Sequence, residues 1–273
     1  MAVKNNMTRL VVDDLKTISL KKYDEHLHKI IGAGLLKIGE TALKIDVDKN
    51  LLKSKKVRVV PITSGEGIIS GFSQSVADII KYIGFEDCTV TEHSDVWGYS
   101  EAYNEKADII FAADDDRFIS INTKNREVRD NGYDTGCGYA AALDLACNGI
   151  KGKEVLVIGG NFVGTGAVDY LVKNEAKVTL CELDEAKSSK LKKDYPVIHL
   201  EDCLNNALLT HDLILDCTPS KDFISDEYIT KNTIISTPGI PLGIERCDVE
   251  KKGGILIHDV LEIGVVVMAL GAL

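Results

Sequence analysis

Short apolar runs rich in Val and Ile alternate along this chain with longer segments in which apolar residues recur at helical spacing. The runs predict buried strands and the spaced pattern predicts amphipathic helices. Residues 7–31 read as a helix, with Leu10, Leu15, Ile18 and Leu20 on one stripe and Asp13 and Asp14 early, where acids suit the helix dipole. Residues 32–56 read as helix followed by loop. Residues 57–63 form the first strong strand, leading into Ser64, Gly65, Glu66 and Gly67 and then a helix that carries Ile68, Ile69, Phe72, Val76, Ile79 and Ile80. A strand over 88–93, a short helix over 95–106 and a strand over 107–113 follow. Residues 118–129 read as a hairpin turning near Asn125. Residues 134–148 read as a helix of small residues, suited to a close-packed connection and ended by Asn148 and Gly149.

The second half repeats strand and helix. Val155, Leu156, Val157 and Ile158 make a buried strand, followed by a glycine turn and a helix carrying Ala167, Val168 and Leu171. Residues 177–181 make the next strand, 184–193 a charged helix and 197–200 a short strand. Two further strands, 213–217 and 233–237, each end in Thr-Pro: Thr218 and Pro219, then Thr237, Pro238 and Gly239. Proline stops a strand and leaves the Thr hydroxyl and backbone groups at its carboxyl end. Residues 255–258 form the last strand and 262–270 the last helix. The predicted class is α/β, with a C-terminal Rossmann-like parallel-sheet domain over residues 149–273 and an N-terminal helical and α/β domain over residues 1–148.

The glycine turn carries the clearest chemistry. Gly159 and Gly164 take the first and last positions of G-x-G-x-x-G, and Glu182 ends the next strand about 20 residues on, where a dinucleotide fold places the acid that meets the adenosine ribose. A pyrophosphate approaches the backbone only where side chains do not intervene, and the helix start then offers free N–H groups. A carboxylate at Glu182 binds a 2′-hydroxyl and repels a 2′-phosphate, which favours NAD over NADP. The middle glycine is replaced by Asn161, a residue type tolerant of left-handed angles. The cofactor-binding set expected around this turn is Gly159, Asn161, Phe162, Val163, Gly164 and Glu182, joined by the two Thr-Pro turns.

Composition narrows the function class. A formal net charge of −10 argues against a nucleic-acid partner, and the one basic run, Lys53, Lys55, Lys56 and Arg58, reads as solvated surface. Seven cysteines without C-x-x-C spacing read as reduced cytoplasmic thiols, and the six histidines show no metal spacing. No apolar run approaches the length of a membrane helix, and the first residues lack a signal-peptide core. In the first half, Thr63 and Ser64 follow a strand at a glycine turn and serve equally as helix caps or as an anion site. Asp114, Asp115 and Asp116 end another strand, where side chains line the crevice of an open sheet.

Five segments together resemble the pyrrolysine-biosynthesis dehydrogenase family: V-P-I-T-S-G-E-G-I-I-S-G-F-S-Q-S at 60–75, D-V-W-G-Y at 95–99, A-D-D at 113–115, S-T-P-G-I-P at 236–241 and I-G at 263–264. The resemblance spans nearly the whole chain. It implies NAD-dependent oxidation of the terminal amine of 3-methyl-D-ornithyl-N6-L-lysine, release of ammonia and closure of the pyrroline ring of L-pyrrolysine, in a cytoplasmic homodimer. It implies a substrate set of Leu10, Thr63, Ser64, Gly65, Asp114 and Asn122, with Leu10 on an N-terminal helix that packs on substrate. Asp114 and Asp259 are the implied catalytic carboxylates, although Asp259 stands where the family pattern leads us to expect Glu.

Chemistry constrains the site independently. Hydride leaves a carbon bearing an amine only when the nitrogen has a lone pair, so a group must hold the ammonium and take its proton, and a carboxylate serves both steps. Two other readings stay open on the residues: a dehydrogenase for another amino acid or hydroxy acid, and a nucleotide sensor that binds NAD without turning it over.

Overall fold

The apolar runs condense into two sheets in the structure, a computed structural model that describes residues 19–273. Three helices come first: α1 (Leu20–Ile31), α2 (Leu35–Leu43) and α3 (Lys49–Ser54). The first sheet follows, with strands β1 (Lys56–Pro61), β2 (Asp87–Val90), β3 (Ile109–Ala113), β4 (Phe118–Asn122) and β5 (Val128–Asp130) in the order β2-β1-β3-β4-β5. Strand β1 runs parallel to β2 and β3, whose crossovers contain α4 (Phe72–Tyr82) and α5 (Asp95–Asn104); β4 and β5 return antiparallel. Both faces of β1 are covered, Val57 and Val59 joining the main core while Val60 packs with Ala102 and Ile110 beneath α5.

Arg58 departs from the expected solvated surface. It is 6 % exposed, with Nη1 donating to Asp87 Oδ1 at 2.8 Å and Nε to Glu105. A guanidinium is tolerated there because its fork is met by two carboxylates.

Helix α6 (Asn131–Ala146) leads into the second sheet, which has strands β6 (Glu154–Ile158), β7 (Lys177–Cys181), β8 (His199–Leu200), β9 (Leu213–Asp216), β10 (Ile234–Ser236) and β11 (Ile255–Ile257). Their order, β11-β10-β9-β6-β7-β8, is all parallel and is the 3-2-1-4-5-6 arrangement of a dinucleotide-binding sheet. Helix α7 (Phe162–Lys173) crosses α6 closely because glycines face the contact. Gly136 lies against the Val163 carbonyl and the Ala167 amide, and Gly166 lies against the Tyr133 carbonyl, where a Cβ has no room.

The last helix, α11 (Glu262–Gly271), turns back onto α2, α4 and α6. Val265, Val266, Val267 and Met268 are fully buried, so the apolar C-terminal run is core. At roughly 1.5–3 kcal/mol for each large apolar side chain removed from water, this helix ties the chain end firmly to the first sheet.

Three differences from the sequence reading have physical causes. Helix α4 begins at Phe72, leaving Ile68 and Ile69 in a loop, because Gly67 and Gly71 both adopt φ +86 and break the helical path. Helix α6 begins earlier than expected, at Asn131, because the Asp130 carboxylate caps it by accepting from the Gly132 amide at 3.0 Å. Helices α9 (Leu204–Thr210) and α10 (Arg246–Lys252) were not expected, since each buries too few side chains to show a periodic stripe. The remaining helix, α8 (Glu185–Asp194), matches its charged segment.

Candidate active site

A cavity of about 230 Å³ opens between the carboxyl ends of the two sheets. Its first-sheet wall comes from the loop after β1, with Ile62, Ile68 and Ile69, from Phe72 at the start of α4, and from the β3–β4 turn, with Asp114, Asp115 and Asp116. Its second-sheet wall comes from Asn161, Phe162 and Val163 at the start of α7, from Thr218 and Pro219 after β9, from Pro238 and Gly239 after β10, and from Asp259 after β11. Helix α6 supplies Asn131, Gly132, Thr135 and Tyr139 between the walls.

The glycine turn is built for close backbone contact. Gly159 takes φ +94, and Gly164 lies so close to the Gly159 carbonyl that a Cβ has no space. Asn161 solves the missing-glycine problem differently from the left-handed geometry considered for it: its φ is −71, its Oδ1 caps α7 by accepting from the Gly164 amide at 2.9 Å, and its Nδ2 donates to the Cys217 carbonyl at 2.7 Å. It therefore ties the turn to β9 while the first-turn amides of Phe162 and Val163 have no intrahelical acceptor. Those amides and the helix dipole fit a pyrophosphate, and the missing side chains at Gly159 and Gly164 let the turn close tightly behind them. Glu182 stands beside the turn, its Oε2 accepting from the Gly160 amide and its Oε1 from the Asp184 amide. It does not line the cavity, and neither do Gly159 and Gly164, which act from behind the wall.

The two Thr-Pro turns meet. The Thr218 hydroxyl and amide donate to Asp216 Oδ1 at 2.8 and 2.9 Å, and Gly239 packs against the Thr218 carbonyl without room for a side chain. Thr237 is buried, its carbonyl accepting from His258 Nδ1 at 2.8 Å, so it shapes the wall from behind. Burial lowers the His258 pKa, which keeps that ring neutral.

Two carboxyls from opposite walls have contrasting environments. Asp114 is exposed; its Oδ1 accepts from the Asp116 and Arg117 amides at 2.9 and 2.8 Å, fixing the side chain within its own turn, and its Oδ2 has no partner among the described residues. The nearby Asp114 charge, second to burial, raises the Tyr99 pKa. Asp259 is 7 % exposed, and burial, with the adjacent Glu262 charge as second cause, pushes its carboxyl well above the ordinary range. Hydrogen bonds from Tyr23 and from the Ile263 amide oppose that rise without cancelling it.

The other expected substrate residues are not all brought here. The Thr63 amide and hydroxyl both donate to the Asp95 carboxylate, at 2.8 and 2.6 Å, so Thr63 is tied to the first residue of α5. Ser64 and Gly65 belong to the adjoining loop, Gly65 packed against Asp115, and neither lines the cavity. Asn122 is a correction. It is buried at the far end of β4, where Nδ2 donates to the Ala272 carbonyl at 2.9 Å and Oδ1 accepts from the Lys124 and Asn125 amides. It closes the hairpin and anchors the C-terminus, so it has no group left for substrate. Leu10 lies outside the described residues. Sequence reasoning missed Ile68, Ile69, Phe72, Thr135 and Tyr139 as cavity residues; the apolar pair inside a glycine-rich loop was the available signal.

The comparisons with known proteins bear on this arrangement. The family model "Pyrrolysine biosynthesis protein PylD, N-terminal domain" matches residues 13–129. The pyrrolysine synthase of Methanosarcina barkeri is 33 % identical over 277 aligned residues, covering all of both chains. The chain belongs to the pyrrolysine synthase family. The family's representative in Methanosarcina acetivorans is 38 % identical over 212 residues, covering 77 % of this chain and 79 % of that one. Among solved structures, shikimate dehydrogenase from Aquifex aeolicus superposes with a TM-score of 0.55 at 13 % identity, covering 80 % of this chain and 91 % of that one. Quinate dehydrogenase from Corynebacterium glutamicum, solved in complex with NAD, also gives 0.55, at 11 % identity and with 80 % and 92 % covered. These likenesses show a shared two-sheet fold.

Proposed function

We propose that this protein oxidises the terminal amine of 3-methyl-D-ornithyl-N6-L-lysine with NAD, releases ammonia and closes the pyrroline ring of L-pyrrolysine. The observation that carries the reading is that one cavity is lined by both Asp114 and Asp259 beside a dinucleotide turn. Membership of the pyrrolysine synthase family supports the substrate. Residues 1–148 supply substrate contacts in this reading and residues 149–273 the cofactor fold, except that α11 packs onto the first sheet.

The α7 N-terminus, the two Thr-Pro turns and Glu182 would hold NAD, which would supply the acceptor for hydride from the carbon that bears the amine. Asp114 Oδ2 binds the substrate ammonium and takes its proton, which frees the lone pair needed for oxidation. The substrate's own α-amine then closes the ring, an intramolecular attack that needs held geometry more than a further base. Ammonia must leave from the same carbon, and a carboxyl whose surroundings favour its protonated form is the appropriate donor. Asp259 meets that requirement because its site is dry and beside Glu262. Ile68, Ile69 and Phe72 form the apolar surface for the methylated chain. Glu182 favours NAD because a 2′-phosphate would meet its charge. A cytoplasmic homodimer completes the reading on family likeness. Turnover with the methylornithyl-lysine, and at least a hundredfold less with free lysine, is the expected specificity; equal rates would move the reading to a general amine dehydrogenase.

A further inference from the structure

The Asp259 carboxyl is held by groups from three elements. Tyr23, on α1, is 7 % exposed and its hydroxyl donates to Asp259 Oδ2 at 2.9 Å, a contact between residues 236 apart in sequence. Tyr139, on α6, brackets the same residue through its backbone: its hydroxyl donates to the Asp259 carbonyl and accepts from the Asp259 amide, each at 2.9 Å. On α11, Glu262 supplies the one neighbouring carboxylate among the described residues, and the Ile263 amide approaches Oδ2 at 3.3 Å and Oδ1 at 3.4 Å. Among these partners only Tyr23 makes a short bond to the carboxyl, and it makes it to one oxygen.

We propose that Tyr23 is a positioning residue for the reaction: by occupying Oδ2 it fixes the Asp259 rotamer and leaves Oδ1 as the atom that exchanges a proton with the substrate nitrogen. The inference rests on the reading of Asp259 as the acid for ammonia departure. A hydroxyl that donates to Oδ2 cannot share that oxygen with a second proton along the same direction, so the carboxyl proton resides on Oδ1. When Oδ1 gives its proton to the departing nitrogen, the C–N bond breaks with its electron pair going to ammonia, and the new carboxylate charge is met at once by the Tyr23 O–H. The tyrosine itself stays protonated, because burial and the Asp259 charge raise its pKa well above the ordinary value. Its placement does not depend on the bond it makes: α1 is pinned independently by Asp24, which accepts from the Leu35 amide at 2.6 Å and from the Tyr82 hydroxyl at 2.9 Å.

The test is the pH profile of turnover in Tyr23→Phe, which keeps the ring and removes the donor. In the unaltered protein turnover falls as pH rises through the Asp259 pKa, because the acid form is lost. The Tyr23 bond favours the carboxylate, so its removal moves that falling limb upward by about one pH unit. Turnover on the plateau drops about tenfold with KM within twofold. Site-specific 3-fluorotyrosine at position 23, a stronger donor, moves the limb downward and keeps the interaction testable should Tyr23→Phe fold poorly. Asp259→Asn must abolish the limb; wild-type turnover in Asp259→Asn would remove Asp259 from the reaction and this inference with it. Loss of the limb in Asp259→Asn with no movement in either tyrosine variant would overturn the role of Tyr23 alone.

Discussion

Asp216 ends β9 with one carboxyl oxygen satisfied and the other buried without a partner, and this predicts a pH-dependent strain that Asp216→Asn removes. The residue is 1 % exposed; Oδ1 accepts twice from Thr218, while Oδ2 faces Gly243 and Phe223 and has no hydrogen bond. Burial raises its pKa from 3.8 to about 6, the Thr218 bonds opposing part of the rise. Because the folded value lies above the unfolded one, the folded chain keeps the proton while the unfolded chain releases it, and stability falls as pH rises between the two values. At 1.36 kcal/mol per pH unit the loss is about 1 kcal/mol at pH 4.5 and about 3 kcal/mol at pH 8, a difference of about 2 kcal/mol. An amide does not titrate. The stability of Asp216→Asn relative to the unaltered protein therefore improves by about 2 kcal/mol between pH 4.5 and pH 8, or roughly 4–8 °C in relative melting temperature for a chain of this size. Thermal unfolding of both proteins across that range measures it. A stability difference flat to within about 0.5 kcal/mol would mean that Asp216 is ionised in the fold or solvated, and would refute the argument from its orphan oxygen.

Asp114→Asn should lower turnover by a hundredfold or more, on the order of what a positioned base contributes, with NAD affinity unchanged; activity within a few-fold of the unaltered protein would take Asp114 out of the mechanism. Glu182→Ala should weaken NAD binding and lessen its preference over NADP, measured by titration of each nucleotide, and an unchanged preference would reject the ribose contact. Gly164→Ala should abolish nucleotide binding, since the new Cβ meets the Gly159 carbonyl and forces the turn open; retained affinity would show that the turn does not hold the pyrophosphate. Light scattering should give twice the 29.8 kDa chain mass, and a monomer would remove the dimer from the reading.

The second sheet was legible because its parallel strands are buried on both faces and read as continuous apolar runs: β7 was placed residue for residue at Lys177–Cys181. The Thr-Pro turns marked the crevice for the same reason, proline ending the strand where the ligand face begins. What was not legible came from contacts distant in sequence. Nothing in the local pattern around Tyr23 distinguishes it from any helix-face tyrosine, and only the loop after β11, 236 residues on, brings Asp259 to its hydroxyl. Asn122 shows the opposite failure: a polar residue at a strand end suggests a ligand contact, yet the hairpin turn and the chain terminus consume all its hydrogen-bonding capacity. Asn161 is visible in the sequence as a departure from the glycine fingerprint, but the bond from its Nδ2 that ties the turn to the Cys217 carbonyl, 56 residues away, is not.

The most direct test of the proposed function mixes the purified protein with NAD and synthetic 3-methyl-D-ornithyl-N6-L-lysine and follows absorbance at the reduced-nicotinamide band, with product mass read from the same tube. Reduction of NAD matched by loss of one ammonia and two hydrogens from the substrate is the predicted result. NAD bound but not reduced, or reduced only with other amino acids or hydroxy acids, would contradict it.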